Sequence, residues 1–151
     1  MEYKLNLSDV RTKHNLSQNE VANILGITRT VYTKYENGYE LIPIKHLISF
    51  CNYFNTSVDY IFSLTNNDEE SSYNKEIDND LIRQRIKEFR KEQKLTQEKL
   101  AKLLNTNKSV ICNYEKGRHF IATPFLYQIC HNYHISADYL LGRIDNPKYL
   151  N

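Results

Sequence analysis

The stretch LSQNEVANILGITRTVYTKYENG, Leu16 to Gly38, decides how this chain is read. Ser17 stands at a helix start with Glu20 three residues on, the spacing of a capping box. Val21, Ala22, Ile24 and Leu25 follow at helical spacing, giving an apolar face. Gly26 then falls where the chain must turn sharply and a positive φ is favoured. Thr28 caps a next helix whose inner residues are Val31, Tyr32 and Tyr35, and Asn37-Gly38 ends it. The pattern predicts two short helices joined by a tight turn.

The same pattern returns at Leu95 to Gly117, LTQEKLAKLLNTNKSVICNYEKG, without a gap. Eight identities fall at matching offsets: Leu16/Leu95, Gln18/Gln97, Ala22/Ala101, Leu25/Leu104, Val31/Val110, Tyr35/Tyr114, Glu36/Glu115 and Gly38/Gly117. An internal repeat in a chain of 151 residues divides it into two small domains. Each is near the lower size limit for an independent core, which suits a local, helical fold. Outward from the repeat, helix one is expected over about Tyr3 to Lys13, with Tyr3, Leu7, Val10 and His14 at helical spacing. Pro43 suits the first turn of a fourth helix carrying Leu47, Ile48, Cys51 and Phe54 inward. Ser57 caps a short fifth helix with Asp59 in its first turn, where a carboxylate meets the positive end of the helix dipole. The second copy follows suit, with Ile82, Ile86 and Phe89 inward on helix one, and Thr96 and Asn107 as caps. Its helix four runs from about Ala122 to Tyr133, and Ser136 opens helix five. The expected organisation is a first domain over 1–66, an acidic linker over 67–80, a second domain over 81–145 and a tail over 146–151.

The net charge of +2 conceals an uneven distribution. Residues 1–66 hold six Lys/Arg and six Asp/Glu, residues 67–80 one against six, and residues 81–151 thirteen against six. A second copy at +7 points to a polyanionic partner. Three sparse cysteines, Cys51, Cys112 and Cys130, make no disulfide framework and fit a reduced, cytoplasmic protein. Met1 leads directly into the first helical pattern, and no apolar run reaches the length of a membrane span. Cys130-His131-x-x-His134 has metal-ligand types but no fourth ligand nearby, so no metal is expected. Asp78-Asn79-Asp80 lacks the rest of a calcium loop. No nucleophile–base pair or phosphate-cradling glycine loop makes a case for an enzyme, and no cofactor is implied.

Both halves resemble the Cro/C1-type (XRE) helix-turn-helix family, through L-S/T-Q-x-x-[VL]-A in helix two, Y-E-x-G closing helix three and S-x-D-Y-[IL] opening helix five. The resemblance implies an all-α chain of two tandem five-helix lambda-repressor-like domains that bind double-stranded DNA. It implies a transcriptional regulator, a repressor by analogy, of bacterial or phage origin and nucleoid-associated. In such a domain helix two crosses the backbone and helix three enters the major groove. Gln18 and Gln97 match the position that donates to a phosphate, beside the free N–H groups of a helix start. The positions matching base readers are Arg29, Thr30, Thr33 and Lys34 in the first copy, and Lys108, Ser109, Cys112 and Asn113 in the second. Arg and Lys prefer guanine O6/N7, and Asn pairs bidentately with adenine. Arg11/Glu36 and Arg90/Glu115 match a pair joining helix one to the end of helix three; a phosphate contact is the competing role for Arg90. The neutral first copy leaves two roles open, reading DNA when tethered or binding a protein. The resemblance also leaves open a homodimer through helix five.

Overall fold

The computed structural model describes residues 3–69 and 71–151. Met1, Glu2 and Glu70 lie outside it, and with them the expected lead-in to helix one and one acid of the expected linker. Among the described residues the chain forms ten α-helices and no strand. It divides between Tyr73 and Asn74 into two compact units of five helices each. The first holds α1 (Leu7–Lys13), α2 (Gln18–Leu25), α3 (Arg29–Asn37), α4 (Ile44–Phe54) and α5 (Val58–Ile61). The second holds α6 (Asn79–Glu92), α7 (Gln97–Leu103), α8 (Lys108–Glu115), α9 (Thr123–Tyr133) and α10 (Ala137–Leu140). The fold is all-α, with the two units in tandem.

Local chemistry starts and stops these helices. Ser17 accepts from the Glu20 N–H while the Glu20 carboxylate accepts from the Ser17 N–H, completing the capping box. Thr28, Thr96, Asn107, Ser57 and Ser136 each accept from the N–H three residues on, caps worth about 1 kcal/mol apiece. The turn after α2 is left-handed at Gly26 (φ 71°), and the second copy makes it with Asn105 (φ 56°). Asparagine is among the few side-chain-bearing residues that visit this conformation readily. In the first unit Leu7, Val21, Ala22, Tyr32, Leu47, Phe50, Cys51, Val58, Ile61 and Phe62 are wholly buried. Ile82, Phe89, Leu100, Ala101, Ile111, Leu126, Ile129, Cys130 and Leu140 fill the second core. Ile24, expected inward, is exposed, as is its counterpart Leu103. His14 is also exposed, although its ring packs at a tilt against Phe54 and its Nδ1 lies 2.8 Å from the Val10 carbonyl.

Several boundaries differ from the sequence reading for visible reasons. Helix α1 begins at Leu7 rather than near Tyr3, because Asn6 is committed elsewhere. Its N–H donates to the Ile61 carbonyl and its Nδ2 to the Tyr60 carbonyl (2.9 Å each), tying the incoming chain to the end of α5. The counterpart of Asn6 is Arg85, which reaches the Tyr139 carbonyl (2.6 Å) from within the longer α6. Pro43 sits one residue before α4. Helix α9 starts at Thr123, with Pro124 in its first turn. Helix α6 reaches back into the stretch expected as linker, since Asp78 accepts from the Leu81 N–H and caps it. Other parts of that stretch are also held: Asp68 pairs with Lys13, and the Asn74 N–H donates to the Arg143 carbonyl (2.9 Å). The tail returns to the second unit, where Tyr149 bridges Ile135 and Lys148 pairs with Glu92 at 2.6 Å.

Candidate nucleic-acid interface

The third helix of each unit is fixed from behind by a buried carboxylate. In the second unit Glu115, the last residue of α8, accepts from Arg90 Nε at 2.6 Å and Nη2 at 2.9 Å. Gln97 Nε2 adds a third bond at 3.1 Å, and Arg90 Nη1 donates to the Leu95 carbonyl at 2.9 Å. Helix α6, the start of α7 and the end of α8 are thereby joined at one point. The first unit repeats the network with Arg11 Nε and Nη2 on Glu36 (2.7 and 3.2 Å), Gln18 on Glu36 (3.1 Å) and Arg11 on the Leu16 carbonyl (2.9 Å). Burial pushes the Glu36 carboxyl up, but the Arg11 and Gln18 bonds outweigh it and hold the group below its ordinary range. The hydrogen bonds to Glu36 and Glu115 hold Arg11 and Arg90 above the usual guanidinium value.

These contacts place the two glutamines more narrowly than the sequence did. The Gln18 amide spans two partners, donating to Glu36 and accepting from Thr33 Oγ1 at 3.0 Å. Thr33 therefore faces α2. Gln97 donates to Glu115 in the same way, but the counterpart of Thr33 is Cys112, whose thiol is at best a weak donor. Arg29 and Thr30 stand exposed in the first turn of α3, and Lys34, half-exposed, lies 3.5 Å from Glu40.

In the second unit the expected residues come together. Lys108, Ser109, Cys112 and Asn113 line one shallow depression of about 420 Å³, at positions one and four residues apart that share a helix face. A fifth lining residue, Arg118, was legible only as one charge among the many around α8. Gly117 (φ 75°) turns the chain back, so the Arg118 N–H donates to the Asn113 carbonyl (3.0 Å) and Nη1 to Asn113 Oδ1 (3.2 Å). The position of Arg118 is taken in the first unit by Tyr39, which is 81% exposed. Nearby Leu41 is exposed as well. The first unit thus presents an ion pair and an apolar rim where the second presents cations and amides.

The remaining sequence candidates have structural places. Cys130 is buried, and His131 stacks on Tyr127. Asn79 donates to the Gly117 carbonyl (2.9 Å) and Asp80 pairs with Arg83 (2.9 Å). Among the described residues no group of three His, Cys, Asp or Glu is placed to hold a metal ion. No helix among them is long and apolar enough to cross a membrane.

Comparison with known proteins finds a helix-turn-helix match in each unit. Residues 7–61 match the helix-turn-helix family, and residues 84–145 match a helix-turn-helix domain family. An uncharacterized HTH-type transcriptional regulator of Bacillus subtilis strain 168, YqaE, is 38% identical over 64 residues. That match covers 42% of this chain and 55% of the relative, so the chain spans about half the relative's length. No solved structure matches the chain. With one helix-turn-helix match in each five-helix unit, the chain carries that domain twice, the tandem arrangement that the Cro/C1-type resemblance implies.

Proposed function

We propose that the chain is a sequence-specific, double-stranded DNA-binding transcriptional regulator in which α8 of the second unit reads the major groove. The observation that carries this reading is the depression on α8, where Lys108, Ser109, Cys112, Asn113 and Arg118 present hydrogen-bonding side chains on one exposed face. The +7 charge of residues 81–151 supplies the phosphate attraction on which such binding rests. Gln97 stands at the start of α7; its amide keeps a second donor for a phosphate while the first is fixed on Glu115. Repression follows from family analogy, by occupation of a site that a polymerase needs.

The first unit carries a subsidiary role. Its segment is neutral, Lys34 is compensated by Glu40, and Thr33 is engaged with Gln18, so Arg29 and Thr30 are its main groups for DNA. Tethering to the second unit raises its effective concentration at a neighbouring half-site. Because Arg29/Thr30/Lys34 differ from Lys108/Ser109/Asn113, the two half-sites are unlike. A second reading, in which the first unit binds a protein, is favoured by the exposed Tyr39 and Leu41 beside the compensated Lys34.

Mobility shift of the full chain against randomised duplexes tests both. Lys108→Ala should cost about 1–3 kcal/mol on the selected site and relax one base pair. Protection of one half-site alone, unchanged in Arg29→Ala, would assign the first unit to a protein partner. No selection of any sequence would refute the regulator reading.

A further inference from the structure

Asparagine on a recognition helix pairs with adenine when its amide is free to do two things, accept from N6–H and donate to N7. At Asn113 that freedom is restricted. Its Oδ1 accepts from Arg118 Nη1 at 3.2 Å, and because a guanidinium only donates, the orientation of the amide is fixed with oxygen towards Arg118. Arg118 is itself seated by its own N–H on the Asn113 carbonyl (3.0 Å), through the left-handed turn at Gly117. An adenine amino group would have to approach that same oxygen beside a guanidinium, positive end against positive charge. The Nδ2 donors remain.

The rest of the depression has the same polarity. Lys108 brings only donors, Arg118 only donors, and Cys112 a weak one; Ser109 alone can serve either way. A surface of donors is complemented by adjacent acceptors, and the major-groove edge with two of them is guanine, through O6 and N7. On the reading that α8 enters the groove, the geometry points to Asn113 as a reader of guanine rather than adenine, with Arg118 as the positioning residue that sets this preference. The first unit lacks the device, having Lys34 and Tyr39 at the two positions.

The test is selection of sites from randomised duplexes by the full chain and by Asn113→Ala and Arg118→Ala, followed by affinities at fixed salt. The base pair whose preference disappears in Asn113→Ala identifies the contact. There the unaltered chain should prefer guanine over adenine by about five-fold or more. In Arg118→Ala the ratio should fall to about one or invert, whatever happens to overall affinity, since loss of a phosphate contact would weaken every duplex alike. An unchanged circular dichroism spectrum confirms that the exposed Arg118 was replaced without unfolding. Adenine at that position in the unaltered chain, or a guanine preference untouched by Arg118→Ala, overturns the inference while leaving DNA reading intact. Failure of the unaltered chain to select any sequence overturns the DNA reading, and the inference with it.

Discussion

Replacing Glu115 with alanine removes the one carboxylate to which α6, α7 and α8 are joined. The side chain is 4% exposed and accepts three hydrogen bonds, two of them from Arg90, itself 11% exposed. Removing one partner of a buried pair typically costs about 3–5 kcal/mol, because the other charge is left uncompensated. Arg90 keeps its bond to the Leu95 carbonyl, which argues for the lower end, about 3 kcal/mol. For a unit of this size each kcal/mol moves the midpoint by about 4–8 °C, so the melting of the second unit should fall by about 12–24 °C. Calorimetry of the full chain reads this directly, with Lys116→Ala, an exposed neighbour, as control. Arg90→Met combined with Glu115→Leu should be less damaging than Glu115→Ala alone, since a packed apolar pair strands no charge. A loss below about 1 kcal/mol in Glu115→Ala, or a double variant worse than the single one, would refute the reasoning.

In the first unit the depressed Glu36 carboxyl makes stability fall on the acid side. Its contribution is complete above the ordinary glutamate value and lost as pH falls through the lower folded value; Glu36→Gln should flatten that limb in thermal melts taken from pH 6 downward. Gly117→Ala should destabilise by about 1–2 kcal/mol, for a Cβ there adopts φ 75° and meets Arg83 Cδ at 3.0 Å. Gly26→Asn, by contrast, should be close to neutral in urea unfolding, because the second copy already holds Asn105 in that turn and nothing stands within 4 Å. Gln97→Ala should weaken binding to all duplexes alike, and a base-specific loss in competition assays would contradict a phosphate role.

What the sequence made legible was local or periodic. Ser17 with Glu20, Thr28, Asn107 and Ser57 announce helix starts because a cap needs only three residues of context. Buried positions such as Val21, Leu47 and Phe89 follow from helical spacing. The pairing of Arg11 with Glu36 was accessible through family resemblance alone, since neither residue type nor separation specifies it. Features depending on how distant side chains meet were hidden. Asn6 stops helix one by reaching Tyr60, 54 residues away, and nothing around Asn6 signals that. Ile24 was assigned inward because it falls three residues after Val21, and helical spacing over two turns does not tell core from rim. Arg118 follows a closing glycine like any loop residue; only the left-handed turn shows that it returns onto Asn113.

The segment after the last helix of each unit returns to the end of that unit's first helix, and the two closures carry opposite polarity. In the first, the anion Asp68 meets the cation Lys13; in the second, the cation Lys148 meets the anion Glu92. Duplicated sequences folding on one chain run the hazard of trading equivalent pieces. Here a traded closure would set Lys148 against Lys13 and Asp68 against Glu92, like against like in both places. Both pairs lie at the surface, where an ion pair contributes little, so the inverted polarity biases each half of the duplication towards its own closing segment without enforcing it.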